Sequence, residues 1–158
     1  MSGLENPHDE VVLLQCNLDD MTGEALGFVL ERVLAEGALD AWFVPIQMKK
    51  SRPGTTLSVL CRRKDAAALR KLLLRETTTL GVRWQVMQRE IVQRQTVQVQ
   101  TPWGSVRCKL KILEGSVKGA KPEFDDCARL AREHGLPVND VIEAARDAGS
   151  RLLEENGS

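Results

Sequence analysis

Apolar residues recur along this chain at two spacings, and each spacing predicts an element. The run from Val11 to Leu18 is a short apolar block that reads as a buried strand. Thr22 then precedes Leu26, Val29, Leu30 and Val33 at helical spacing, and Gly37 supplies a stop, so a helix capped by Thr22 is predicted. Residues 39–48 are rich in β-formers despite Pro45, which suits an edge strand or a bulge. Ser51-Arg52-Pro53-Gly54 reads as a turn and residues 55–62 as a strand. Asp65 is placed to cap a helix bearing Ala68, Leu69, Leu72 and Leu73, and Val82, Trp84 and Val86 alternate as the next strand.

The order βαββαβ predicts the α+β class, a ferredoxin-like sandwich over residues 11–93 with an antiparallel sheet and both helices on one face. Beyond it, Val97 and Val99 alternate with glutamines, Thr101-Pro102-Trp103-Gly104 forms a turn, and Val106, Cys108, Leu110 and Ile112 alternate again. That pattern is a β-hairpin. Residues 114–121 read as a polar connection, followed by helices over 122–134, stopped by Gly135, and over about 138–153. Residues 94–153 thus form an appended β-hairpin and two C-terminal helices, with 1–10 and 154–158 expected as flexible termini.

Composition narrows the function classes. At 42% hydrophobic and 28% charged, the chain can bury a core. It has no apolar run of about 18 residues, so no membrane span is expected, and residues 1–10 lack an apolar leader segment, so a cytoplasmic location is expected. The four cysteines stand far apart, none in a CxxC pair, and there are two histidines. That inventory predicts buried, inert thiols rather than a zinc site or a disulfide scaffold. With no tyrosine, three phenylalanines and zero net charge, nucleic-acid binding is not expected.

The zero net charge conceals a segregation. Residues 1–48 hold nine acids and one base, residues 49–94 twelve bases and three acids, and residues 95–158 nine bases and ten acids. Where the first two stretches meet, a cation site would lie beside a polyanion site; the alternative is complementary packing or solvated faces.

Four segments could carry chemistry. Asp19 and Asp20, with Glu24 one turn on, offer hard oxygen ligands for Mg²⁺ or Mn²⁺, or else cap the following helix. Lys49, Lys50 and Arg52 crowd a tight turn that is either a phosphate cradle or a solvated hairpin tip. Arg75 and the Thr77, Thr78, Thr79 run offer donors to an anion or a sugar, or simply lead into a strand. Lys121 precedes Pro122, Glu123, Asp125 and Asp126, residues that suit a helix start, with Lys121 free to reach a phosphate. No catalytic nucleophile–base constellation is readable.

Taken together, the wording of these segments is more specific than any one alone. Asn17-Leu-Asp-Asp-Met21, Pro45-Ile-Gln-Met-Lys-Lys50, Arg52-Pro-Gly54, Arg75-Glu-Thr-Thr-Thr-Leu-Gly-Val-Arg83 and Lys121-Pro-Glu-Phe-Asp-Asp-Cys127 resemble the C-terminal domain of the LarC family, over roughly residues 11–150. That family inserts nickel into a pyridinium bis-thiocarboxylate mononucleotide, giving the nickel-pincer cofactor of lactate racemase, and consumes CTP in doing so. The resemblance implies CTP and a divalent cation, Mg²⁺ or Mn²⁺, as ligands and a lyase-type metal chelatase as the full enzyme. It implies an N-terminal domain of the same family as partner, so that this chain alone binds CTP without completing the insertion. On this basis Asp19, Asp20 and Glu24 are expected at the metal, and Lys49, Lys50, Arg52, Arg75, Thr77–Thr79 and Lys121 at the nucleotide. Hairpin tips and helix starts seldom converge within one small sandwich, so a homo-oligomer is expected. The competing reading is a non-catalytic ligand-sensing or oligomerisation module.

Overall fold

A computed structural model describes residues 8–155 and divides the chain into two units, His8–Glu90 and the residues from Ile91 onward. The first unit runs β1 (His8–Leu18), α1 (Gly23–Ala35), β2 (Asp40–Met48), a 3₁₀ turn (Lys49–Ser51), β3 (Arg52–Arg62), α2 (Ala66–Glu76) and β4 (Arg83–Glu90). Its four strands lie in the order β2-β3-β1-β4, all antiparallel, which is the ferredoxin-like arrangement the sequence predicts. Pro45, which cannot donate to a ladder, falls on an edge strand as expected.

Strand register decides the faces. Leu14 pairs with Val59 and Cys16 with Leu57, and these residues form one core with Val29 and Val33 of α1 and Leu69 and Leu73 of α2. Each fully buried Leu or Val there stabilises the fold by roughly 1.5–3 kcal/mol. The alternate residues, Leu13, Gln15 and Asn17 of β1 with Thr56, Ser58 and Leu60 of β3, point to the opposite face, away from α1 and α2.

Three local expectations are corrected. The turn between β2 and β3 is not at Ser51–Gly54 but at Lys49–Ser51, where Lys50 and Ser51 take left-handed backbone (φ 60° and 55°). Pro53 and Gly54 are already in β3, opposite Gln47 and Ile46. Gly54 serves close approach instead: a Cβ there would lie 2.6 Å from Met48 Sδ and 3.0 Å from the Leu18 carbonyl oxygen. Asp65 occupies the position before α2, but its backbone is helical and its side chain caps no N–H. The buried stripe of α2 begins at Ala66, leaving Ala68 exposed.

The second unit runs β5 (Gln93–Thr101), β6 (Gly104–Leu113), β7 (Ser116–Pro122), α3 (Phe124–His134) and α4 (Val138–Glu155). The expected hairpin is a three-stranded sheet, β5-β6-β7, because the segment read as a polar connection forms β7. Its small residues misled: Ala120 lies where a Cβ on Gly149 of α4 would come within 2.7 Å, so the strand is stripped of bulk to admit the helix. Pro122 ends β7, and α3 begins after Glu123 rather than at Pro122. Val99, Val106, Cys108, Cys127, Leu130, Val141 and Ala145 form a separate core. β1 starts at His8, inside the segment expected to be flexible, and α4 reaches Glu155; residues 1–7 and 156–158 lie outside the described residues. All four cysteines are free and buried, as their apolar settings predict.

Candidate functional site

At one end of the first sheet, β1 ends, β2 turns into β3, and α2 gives way to β4. Thr22, not an aspartate, caps α1: its Oγ1 accepts from the Ala25 N–H at 3.3 Å. That leaves Asp19 and Asp20 free to reach outward. Period two along β1 carries Asn17 to the face away from α1 and α2, and just past the end of the strand Asp19 Oδ2 lies 2.9 Å from Nε of Arg52, the first residue of β3. Asp20 accepts from the Thr78 hydroxyl in the loop after α2. The acidic and basic loops therefore meet within one chain. Hairpin tips and helix starts seldom converge in one small sandwich, and here Asp19 and Arg52 do.

Lys49 and Lys50 sit exposed in the adjacent turn, with no carboxylate in ion-pair range among the described residues. The threonines divide their roles. Thr77 donates to the Leu73 carbonyl at 2.7 Å and closes the end of α2, while Thr79 donates to the Gly81 carbonyl at 2.8 Å and shapes the loop. Thr78 is the one of the three that donates to Asp20 among the described residues. Arg75 is turned to its neighbour Glu76 at 2.9 Å, and Glu24 is exposed in the first turn of α1. Lys121 belongs to the second unit, exposed on β7 opposite Lys109. Among the described residues no group of three His, Cys, Asp or Glu side chains is arranged to hold a metal ion, so Asp19, Asp20 and Glu24 do not form a closed cage.

Sequence reasoning missed two members of this cluster. Asn17 Oδ1 accepts from Arg83 and from Thr56 Oγ1, each at 2.9 Å, tying β1, β3 and β4 together beside Asp19. Both residues lay within motif strings but carried no role; the strand period that places Asn17 two residues before Asp19 was the available signal. Both ends of the Asp19–Arg52 pair reach solvent, with side-chain exposures of 20% and 53%, so it contributes at most about 1 kcal/mol and exchanges readily for other ions. The thiols offer no comparable chemistry. Burial pushes Cys16 up from its ordinary value despite the opposing Arg83 charge, and pushes Cys108 up to about 11, so neither presents a thiolate ligand.

Two carboxylates, two free lysines, an arginine in an exchangeable pair and a hydroxyl thus share one exposed sheet end, an arrangement suited to a polyanion carrying a hard cation. A family model described as nickel insertion protein matches residues 2–142. A relative from Myxococcus xanthus is 49% identical over 133 residues, 84% of this chain and 34% of its own length. The pyridinium-3,5-bisthiocarboxylic acid mononucleotide nickel insertion protein of Lactiplantibacillus plantarum is 46% identical over 147 residues, 93% of this chain and 35% of its own. Among solved structures, LarC2, the C-terminal domain of a cyclometallase involved in synthesis of the NPN cofactor of lactate racemase, matches with a TM-score of 0.84 and 46% identity. That match covers 90% of this chain and 99% of LarC2. The chain spans about a third of the length of the curated relatives it matches.

Proposed function

Because the chain belongs to the nickel insertion protein family, we propose that it is the CTP- and divalent-cation-binding part of a CTP-dependent nickel insertase. In that enzyme nickel is the inserted substrate and a pyridinium bis-thiocarboxylate mononucleotide the acceptor, with an N-terminal domain of the same family completing the reaction. The observation that carries the nucleotide reading is the contact of Asp19 with Arg52, which brings oppositely charged loops to one point.

The donor set fits a cation shared with a ligand. Asp19 and Asp20 supply two adjacent hard oxygens on an exposed loop, and Mg²⁺ or Mn²⁺ commonly takes one or two carboxylates, with phosphates and waters filling the rest. When bound, such an ion neutralises charge on phosphate oxygens. Lys49 and Lys50 approach the phosphates from the turn as point charges. Arg52, once released from Asp19, offers a planar fork matched to a phosphate. The Thr78 hydroxyl holds Asp20 in place or donates to a phosphate oxygen. Arg75 and Glu24, outside this cluster, belong to the proposal only through a neighbouring copy in a homo-oligomer.

Calorimetric titration with CTP and MnCl₂ tests the reading. Saturable binding is expected, weakened at least about tenfold in Lys49→Ala and in Asp19→Ala, since a hydrogen bond to a charged group contributes roughly 1.5–3 kcal/mol. Absence of heat in the wild type, or unchanged affinity in both variants, would sink it. Binding without turnover after the N-terminal domain is added would favour a sensing module instead.

A further inference from the structure

The two helices of the first unit do not cover all four strands, and on the side that carries α1 and α2 the outer strand β4 is left partly bare. Trp84 pairs with Leu14 and Val86 with Val12, so both belong to the helix-bearing face, yet they stay 57% and 44% exposed. Against them α2 presents Ala66 and Ala67, side chains too small to close the gap. The result is a cleft of about 230 Å³, with the buried Val12 and Ala66 at its base and Trp84, Val86, Arg63 and Arg70 around it. Its two cations differ. Arg63 is paired with Glu10. Arg70 is half-buried, its guanidinium carbon 4.2 Å from the centre of the Trp84 ring, and it has no carboxylate in ion-pair range among the described residues. A guanidinium held over an aromatic face is fixed in place while its in-plane N–H donors stay available, and that fork matches a carboxylate.

We propose that this cleft binds a planar aromatic acid, with the ring against Val12, Ala66 and Val86 and the acid group on Arg70. Charge and shape both select that class. The apolar base suits a ring, and the cation with free donors beside it suits one acid group. A bare phosphate gains nothing from the apolar base, and a neutral ring gains nothing from Arg70. The volume lies below the roughly 300–1,000 Å³ of sites for drug-sized ligands, so one substituted ring enters and any larger body projects past the exposed edge of β4. The inference rests on the nickel-insertase reading above, whose acceptor is a ring of this kind, a pyridinium bearing two acid groups. No residue lining the cleft belongs to the cluster around Asp19 and Arg52. The acceptor's ring and the nucleotide's phosphates therefore have separate places on the first unit.

The test is calorimetry of the full chain with nicotinic acid mononucleotide and nicotinamide mononucleotide, two pyridinium nucleotides that differ in carrying a carboxylate or an amide. It is run on wild type, Arg70→Gln and Ala67→Leu, each checked for a native melting profile. Ala67 is exposed on α2 and leucine is a good helix former, so that variant fills the cleft without entering the core. The wild type is expected to bind the acid at least about tenfold more tightly than the amide, on the scale of a charge-assisted hydrogen bond replacing a neutral one. Arg70→Gln erases that difference, and Ala67→Leu weakens binding of the acid by at least about tenfold. CTP with Mn²⁺ binds all three proteins alike and does not compete with the acid. A preference for the acid that survives in Arg70→Gln, or an affinity unchanged in Ala67→Leu, overturns the cleft assignment. Competition by CTP overturns it too, since the ring then sits at the sheet end. A wild type that binds CTP but not the acid removes the cleft and spares the nucleotide reading; one that binds the acid but not CTP does the reverse. Should Arg70→Gln fail to fold, the Ala67→Leu variant decides.

Discussion

Arg52 Nε stands 2.9 Å from Asp19 Oδ2, so a guanidinium is paired with the carboxylate that the proposed cation would take. Cation and nucleotide binding then reinforce each other: a cation on Asp19 frees Arg52 for phosphate, and a phosphate on Arg52 frees Asp19 for the cation. Arg52→Ala should therefore raise Mn²⁺ affinity in the absence of nucleotide and lower CTP affinity in its presence, both read by calorimetry. Because the pair is exposed, thermal stability should change little, by at most about 1 kcal/mol. A variant that weakens both ligands, or neither, contradicts the exchange.

Gly54 permits the close approach of Met48 and the Leu18 carbonyl. Met48 can shift, but the Leu18 carbonyl is strand backbone one residue before Asp19. Gly54→Val is expected to lower stability by about 1–3 kcal/mol, in the range of overpacking, and to displace Asp19 so that nucleotide affinity falls as well. Urea midpoints and calorimetry on the same preparation measure the two effects, and a fully stable Gly54→Val would show that the sheet end is looser than this.

In the second unit, Asp126 accepts from Arg107 three times, at 2.8 and 2.9 Å from the guanidinium and 2.9 Å from the backbone N–H. The side-chain bonds, followed by the backbone bond, pull its carboxyl down from 3.8 to about 2. The folded state thus binds the proton more weakly than the unfolded chain, so the contribution is complete above the ordinary aspartate value and fades as pH falls from 3.8 toward 2. The difference in urea midpoint between wild type and Asp126→Asn should be constant from pH 5 to 7 and shrink below pH 4. A difference that grows on acidification would contradict the assignment.

The buried thiols predict a chemical phenotype. With Cys16, Cys61, Cys108 and Cys127 all buried and their ionisation pushed upward by desolvation, a disulfide reagent at pH 8 should label the native protein slowly and all four cysteines rapidly in denaturant. Fast native labelling at any of them would mean that its core opens readily.

Much of the first unit was legible because its signals were local: Thr22 at its cap, the apolar block of β1, and Pro45 on an edge. The β2–β3 turn was misplaced because Pro53-Gly54 is a turn signature, whereas here the chain bends through two left-handed non-glycine residues and keeps its glycine for a steric reason. β7 was missed because its small residues answer to a helix nearly thirty residues later, a partner that no local window contains. At the candidate site, residue types pointed to Asp19, Asp20, Lys49, Lys50 and Arg52. The placement of Asn17 and Arg83 depends on cross-strand register, which becomes visible only once the strands are paired.

Pro45 has a further consequence for how the molecule behaves in a crowded solution. An outer strand offering an unbroken row of N–H groups is a template onto which an identical strand can add, and growth of that kind ends in fibrils. A ring in place of one of those N–H groups interrupts the template midway along β2. Replacing it with valine, a strong strand former, should therefore leave the monomer folded yet shorten the lag time of thioflavin-positive aggregation, since the guard rather than the fold is what has been removed.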